Sequence, residues 1–259
     1  MGPSHSSRDG RRIFARGVAP NGELLRYDQR ARQWTPFLGG RSAEFLTFSP
    51  DRKSVAFVQF PDEVLYRVNF DGTGLLKLTE PPLAVREAQW SPDGSQILID
   101  AQMENDSDKM YLISAQGGRL KRVIPDDKDE ENEPHWSPDG GRIVYFNNAG
   151  AIRILDLASG RSVSLPCSEE VFSSRWSPDR RYIAALTVSW HKLRVFDLKS
   201  NSWTTLYGGV ANFPTWSSDG QFIYFLRGPE SDEIARVRVS GGTAESVASL
   251  KGMPGTGSW

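Results

Sequence analysis

A five-residue motif recurs along the chain and constrains the fold more than any other feature. It reads Trp-Ser-Pro-Asp-Gly at residues 90–94 and 136–140, and it returns with one or two changes at 48–52, 176–180 and 216–220. A degenerate copy, Ser7-Arg8-Asp9-Gly10, opens the chain. The motif aspartates lie 40 to 46 residues apart. Six copies at a nearly constant period identify a repeat architecture.

The residue types of the motif predict a tight turn between two strands. Proline fixes φ at the second position of a type I turn, and Asp and Gly suit the positions that follow. The segments after the motifs are apolar or alternate as strands do, for example at 54–58, 97–99, 143–146, 182–186 and 222–226. A third strand, such as 64–68 or 192–196, and a short fourth strand complete each unit. The sequence therefore predicts an all-β fold, a six-bladed β-propeller of four-stranded blades.

The unit boundaries predict one domain over residues 1–259. Units start near residues 7, 45, 87, 133, 173 and 213. The first unit begins at its hairpin turn and lacks an inner strand, whereas Trp259 follows Trp216 by 43 residues. We expect residues 256–259 to supply that inner strand and to close the ring, because an open blade would leave an unpaired edge. A ring with closed edges has no need to dimerise, so a monomer is expected.

Composition excludes several classes of function. The chain has 31 Lys and Arg against 32 Asp and Glu, a net charge of -1, which argues against a nucleic-acid partner. No apolar run reaches the roughly 20 residues that cross a bilayer, so no membrane insertion is expected. The single cysteine, Cys167, excludes an internal disulfide and leaves no cysteine framework for zinc. The sequence also lacks a G-x-S-x-G elbow, an H-E-x-x-H pair and a phosphate-binding loop.

The repeat resembles that of the bacterial TolB-type propeller over residues 7–259, through its Trp-Ser-Pro-Asp-Gly turns and the Ile-containing strands that follow them. Residues 22–28, 76–79 and 172–179 are similar to the C-terminal propellers of bacterial regulators in which a winged-helix or protein-kinase module precedes the repeats. The resemblance implies a sensing or protein-docking domain. It favours an extracytoplasmic compartment slightly over the cytoplasm, although the sequence shows no export signal.

The starts of the inner strands, which surround the central channel, hold the candidate site residues. Counting four residues back from each motif aromatic gives the set Glu44, Arg86, Asn132, Phe172 and Asn212. We expect this set to bind a partner at the channel mouth. One carboxylate and two amides are oxygen ligands that suit calcium, so Glu44, Asn132 and Asn212 form an alternative metal site, with Arg86 positioned to neutralise Glu44.

An acidic run over residues 126–131 leads into the inner strand of the fourth unit. Such connections lie on the same face as the loops between second and third strands, two of which are also acidic, at 104–108 and 230–233. This face is predicted to be acidic near the channel mouth and to dock a basic peptide, a protein or a cation. Asp127 and Asp129 are the candidates beside the mouth.

The sequence favours a non-enzymatic module that binds a protein or peptide, with a basic one matching the acidic face, and with no cofactor and no catalytic residue. Two alternatives stay open. One is a calcium-dependent hydrolase of the lactonase kind with a metal in the channel. The other is an isolated propeller scaffold or fragment with no ligand of its own.

Overall fold

The computed structural model describes the backbone of residues 4–6 and 13–15 and, with side chains, residues 24–28, 30–39, 41–104, 106–125, 129–147, 150–189 and 191–251. Two short hairpins come first. They pair β1 (Ser4–Ser6) with β2 (Ile13–Ala15), and β3 (Leu25–Asp28) with β4 (Gln33–Pro36). Every other described strand belongs to a four-stranded antiparallel sheet.

Five such sheets follow one another as blades, which we call A to E. Blade A contains β5 (Ala43–Phe48), β6 (Ser54–Gln59), β7 (Val64–Asn69) and β8 (Leu76–Lys77). Blade B contains β9 (Ala84–Trp90), β10 (Gln96–Gln102), β11 (Lys109–Ser114) and β12 (Lys121–Arg122). Blade C contains β13 (Glu131–Trp136), β14 (Arg142–Asn147), β15 (Ile152–Asp156) and β16 (Ser162–Ser164).

Blade D contains β17 (Val171–Trp176), β18 (Tyr182–Thr187), β19 (Lys192–Asp197) and β20 (Ser202–Gly208). Blade E contains β21 (Ala211–Trp216), β22 (Phe222–Arg227), β23 (Glu233–Arg238) and β24 (Glu245–Ser249). Within each blade the strands pair in chain order, from the inner strand that lines the channel to the outer edge. The predicted second and third strands are thus confirmed, and so is the four-stranded blade.

The prediction of six blades is wrong, because the described residues form five. β2 pairs with β1, and β3 pairs with β4, so these segments make two separate two-stranded sheets. The opening copy of the motif has neither the aromatic residue that the other five copies have nor the proline that four of them have. In the second hairpin the rings of Tyr27 and Trp34 pack on each other with their centroids 4.9 Å apart, and Leu25 is exposed, so these residues pack within the hairpin or face solvent. The predicted closing strand, 256–259, lies outside the described residues.

The motif turns form as predicted, and their hydrogen bonds are local. In blade C the Ser137 hydroxyl donates to Asp139 (2.6 Å), and it also accepts the backbone N–H of Arg142 (2.9 Å). The other four turns repeat this pattern. The last motif residue has positive φ, which suits Gly140 and which Arg52 and Arg180 also adopt in their turns. The motif aspartates therefore serve the turns.

The motif tryptophans fill the space between blades. Trp90, Trp136 and Trp176 are buried. The indole N–H of Trp90 donates to the backbone carbonyl of Thr47 in blade A, and that of Trp216 donates to Arg175 in blade D. These two hydrogen bonds join blade B to blade A and blade E to blade D, and apolar clusters that contain Trp90, Trp136 and Trp176 extend across the junctions A–B, B–C and C–D. Phe48 of blade A differs, because its side chain is exposed beside Phe37 and Phe70.

Candidate functional site

The inner strands share a β-bulge that turns selected side chains into the channel. In blades A, C, D and E two residues of the inner strand oppose one residue of the second strand. The first of the two has a positive φ close to 50°, at Phe45, Glu133, Ser173 and Phe213. In blade B the pairing shifts between Asp100 and Ala101. Bulges redirect side chains in this way, and positive φ at residues other than glycine costs free energy that functional sites often carry.

The redirected residues meet in a cavity at one end of the channel, which we call the mouth cavity. Its volume is about 490 Å³. The four residues at the bulge position, Phe45, Glu133, Ser173 and Phe213, line it together with Glu87, which holds the equivalent sequence position in blade B and pairs with Asp100. The other lining residues are Arg86, Asp100, Asp108, Asn132, Phe146, Phe172, Arg175 and Val188. Aromatic walls around a few charged groups are typical of a binding site.

An ion pair crosses the channel between non-adjacent blades. Nη2 of Arg175 in blade D lies 2.9 Å from Oε1 of Glu87 in blade B, and both side chains are largely buried. The amide of Gln89 also donates to Glu87 (3.3 Å). Glu87 and Arg175 line the mouth cavity and also a second cavity of about 700 Å³ farther along the channel, where the motif aromatics, the motif prolines and His135 lie. The ion pair therefore lies where the two cavities adjoin.

Three carboxyls of the mouth cavity, those of Asp100, Asp108 and Glu133, have raised pKa values. Burial raises the pKa of Asp100 well above its usual range, and the nearby Asp108, Glu87 and Glu133 add to the effect. Burial also raises the pKa of Glu133 to about 7, although the guanidinium of Arg175 and the amide and hydroxyl of Ser173 act in the opposite direction. Burial raises the pKa of Asp108 as well, against the effect of Arg86. These groups favour a positively charged ligand that would restore their ionised forms.

His135 lies beside this cluster and stays neutral. Burial and the guanidinium of Arg175 together lower its pKa to about 3. Its Nδ1 lies 2.9 Å from the backbone carbonyl oxygen of Trp136, to which it donates, and 3.4 Å from the backbone nitrogen of Trp176, across the junction between blades C and D. His135 is therefore a neutral group that contacts the backbone of two blades.

The structure brings part of the predicted site together. Arg86, Asn132 and Phe172 line the mouth cavity. Glu44 and Asn212 are not among its lining residues. The amide of Asn212 donates to the hydroxyl of Ser231 (2.7 Å). Burial raises the pKa of Glu44, with Glu63 raising it and Arg86 lowering it, which places Glu44 beside those two residues.

The three predicted calcium ligands are thus not gathered in one cavity, because Asn132 lines the mouth cavity without Glu44 or Asn212. Among the side chains that the structure describes, no three His, Cys, Asp or Glu are grouped so that they could hold a metal ion. The described part of the chain also contains no helix with the length and apolar character needed to cross a membrane.

The acidic loops lie on the face of the mouth cavity, as the strand directions require. The connection before β17 adds two further exposed carboxyls to the three acidic loops. We call the exposed carboxyls of these four loops the acidic rim, defined as Glu104, Asp106, Asp129, Glu169, Glu170 and Glu230. Asp127 lies outside the described residues. The backbone carbonyl of Asp129 accepts a hydrogen bond from the ammonium group of Lys109, which fixes the loop that carries it.

Sequence reasoning missed the residues that directly follow the five predicted positions on the inner strands. Counting back from the motif aromatic with a strict period of two leaves no room for a bulge, and the bulge position holds Phe, Glu, Ser and Phe with no glycine to mark it. Asp100, Phe146 and Val188 were missed because they come from second strands and the loops after them. Asp100 reaches the site by accepting the backbone N–H of Glu133 (3.0 Å), so it supports the bulge of the neighbouring blade.

Comparisons with solved structures identify the architecture. A TolB-type structure from Agrobacterium tumefaciens has a TM-score of 0.72 at 20% identity, with 86% of this chain and 89% of that chain covered. TolB from Acinetobacter baumannii has a TM-score of 0.64 at 17% identity, covering 88% and 65% of the two chains. A chain of a nidogen–laminin complex has a TM-score of 0.59 at 13% identity, covering 71% and 72%. At these identities the likeness shows the fold alone.

Sequence comparisons are narrower. The chain is 25% identical over 154 residues to YuxL of Bacillus subtilis, an uncharacterized peptidase, and the match covers 58% of this chain. It spans only 23% of the length of that protein. A family model for the TolB β-propeller domain, PD40, matches residues 41–259. That match covers most of the chain and includes all five described blades, so the chain belongs to the TolB β-propeller domain family.

Proposed function

We propose that this chain is a non-enzymatic module that binds a protein or peptide with the loop face around the channel mouth. The observation that carries the proposal is the coincidence of the mouth cavity with the acidic rim on one face. The cavity supplies aromatic and charged lining residues from all five blades. The rim surrounds it with exposed carboxyls from four loops, so a partner with a basic surface would be attracted to the face that holds the cavity.

Two finer points belong to the same proposal. We expect the module to act as part of a larger regulatory protein, because residues 22–28, 76–79 and 172–179 resemble the propellers of winged-helix or kinase-linked regulators. The TolB-type resemblance also favours an extracytoplasmic location slightly over the cytoplasm. Locating the protein in fractionated cells tests that point.

The test begins with a crosslinker on the mouth face. Val188 lines the mouth cavity and is 53% exposed, so a photoreactive amino acid at this position should capture a partner in the native host. The same amino acid at Thr243, an exposed residue of the turn before β24 at the opposite end of the blade, is the control. The captured protein is then purified and its affinity is measured directly.

Charge reversal on the rim decides whether this face carries the binding. In the triple variant Glu104→Lys, Asp106→Lys and Glu230→Lys, we expect the partner to bind at least tenfold more weakly, mainly through a slower association rate. Thr243→Lys adds charge at the opposite end and should leave the affinity unchanged. Equal losses in the two variants, or none in the triple variant, would contradict the proposal.

The calcium-dependent hydrolase is tested separately by calorimetric titration of the chelator-treated protein. We expect no stoichiometric heat from calcium. A one-to-one transition that disappears in Asn132→Ala would instead establish a channel metal and would make hydrolytic substrates worth testing.

A further inference from the structure

Three carboxylate oxygens of the mouth cavity have no hydrogen-bond partner among the described residues. They are Asp100 Oδ1, Asp108 Oδ1 and Glu133 Oε2. Asp100 is the most informative, because its side chain lines the cavity and the residue is only 3% exposed. Its other oxygen, Oδ2, accepts the backbone N–H of Glu133 and is thereby held in place. A buried acceptor without a donor is unfavourable unless a ligand supplies one.

The two arginines of the cavity are already engaged. Arg175 pairs with Glu87 at 2.9 Å. Arg86 forms an ion pair with Glu63, donates to the side chain of Gln102 (3.1 Å), and its Nε lies 3.9 Å from Asp108 Oδ1. Five carboxyls, those of Glu63, Glu87, Asp100, Asp108 and Glu133, thus share two guanidinium groups. The cavity has an excess of acceptors over cationic donors.

The walls of the same cavity are aromatic. Phe45, Phe146, Phe172 and Phe213 come from blades A, C, D and E and line it together with the carboxyls. An aromatic face attracts a cation and also packs against an aliphatic chain. The combination matches a long side chain with an apolar stem and a positively charged end.

We propose that the mouth cavity binds one arginine or lysine side chain of a peptide, with its charged end donating to Asp100 Oδ1 and Glu133 Oε2 and its stem against the phenylalanine rings. This inference rests on the proposed function and names the group that the mouth recognises. A cavity of about 490 Å³ accommodates such a side chain with part of the adjoining backbone.

The experiment uses small probes in place of a partner. N-acetyl-arginine N-methylamide and its lysine counterpart are titrated into the isotope-labelled chain and followed by NMR, with the citrulline and norleucine counterparts as neutral analogues. We expect saturable shifts at the mouth cavity for arginine or lysine, and binding at least tenfold weaker for the neutral analogues. Equal binding of citrulline and arginine would overturn the proposal.

Two isosteric variants test the assigned oxygens. Asp100→Asn retains a carbonyl oxygen for the backbone N–H of Glu133 but places an amide donor where the ligand would donate, and Glu133→Gln removes the second charge. Each should weaken the arginine probe at least tenfold, while Glu245→Gln, which changes an exposed carboxylate paired with Arg236 on the outer strand, should not. Unchanged affinity in both variants would refute the assignment. Should Asp100→Asn fail to fold, Glu133→Gln alone decides.

The probe and partner experiments fail independently. If partner capture depends on the acidic rim but the arginine and lysine probes do not bind, the proposed function is retained and the proposal that the mouth cavity binds a basic side chain is rejected. Probe binding without rim-dependent capture would retain the pocket and reject the proposed function.

Discussion

Arg175 and Glu87 form an ion pair across the channel, with Nη2 and Oε1 2.9 Å apart, although they belong to blades D and B. The pair joins two blades that are not neighbours in the chain and lies where the two channel cavities adjoin. Because both side chains are largely withdrawn from water, each charge depends on the other.

Removing one partner should therefore destabilise the fold. We expect Arg175→Met to lower the free energy of unfolding by about 3–5 kcal/mol, because it leaves Glu87 buried without its counter-charge. The double variant with Glu87→Gln should recover much of this loss. Urea denaturation of the two single variants and the double variant measures the coupling free energy between Arg175 and Glu87. The control is Glu80→Gln, which removes the exposed ion pair with Lys77 and should lower the free energy of unfolding by less than about 1 kcal/mol. An additive double variant would show that the pair contributes nothing as a pair.

Glu133 should make stability fall as the pH rises. Its pKa lies at about 7 in the folded chain against 4.5 for a free side chain. Between these values the folded state keeps a proton that the unfolded state has released, so folding becomes less favourable with rising pH. The shift corresponds to about 3 kcal/mol. The quantity to measure is the free energy of unfolding of Glu133→Gln minus that of the unsubstituted chain. This difference should rise by up to about 3 kcal/mol between pH 4.5 and a pH above 7. A difference that does not change with pH would contradict the prediction.

His135 should act in the opposite direction. Its pKa is lowered from 6.5 to about 3, so the unfolded state binds a proton between these values while the folded state does not, and this group's contribution to stability is lost as the pH falls. From pH 6.5 to 5 the loss is about 2 kcal/mol. His135→Asn keeps a neutral polar side chain, with an amide N–H that can donate to the Trp136 carbonyl, and removes the group that titrates. The quantity to measure is the free energy of unfolding of His135→Asn minus that of the unsubstituted chain, obtained by denaturant titration at each pH. We expect this difference to be about 2 kcal/mol larger at pH 5 than at pH 8.

The serine of the motif turn should contribute more to the free energy of unfolding than an exposed serine does. The Ser137 hydroxyl is fully buried, donates to Asp139 and accepts the N–H of Arg142. Ser137→Ala leaves that amide without its acceptor and should cost about 1–3 kcal/mol. It should also raise the pKa of Asp139, now held at about 2 chiefly by the Ser137 hydroxyl. Ser95→Ala, which removes an exposed hydroxyl bonded to a motif aspartate, is the matched control and should cost much less.

The residues of the mouth cavity show which part of the site can be predicted from the sequence. The period and the turn chemistry locate the inner strands, and three of the five residues counted back from the motif aromatics, Arg86, Asn132 and Phe172, do line the mouth cavity. The other two, Glu44 and Asn212, are outside its lining. The bulge also brings the next residue of the inner strand to the cavity in blades A, C, D and E, and no residue type in these strands indicates it.

The sequence by itself determined the repeat, the turns and the four-stranded blade, because these depend on residues within a few positions of one another. Only the tertiary structure decided the number of blades and the composition of the site. The first unit contains strand-like segments, yet its described strands pair as separate hairpins, because an apolar or alternating pattern predicts a strand without fixing its partner. The ion pair between Glu87 and Arg175 and the bond from Glu133 to Asp100 join residues far apart in sequence. Such contacts exist only once the blades surround a common channel.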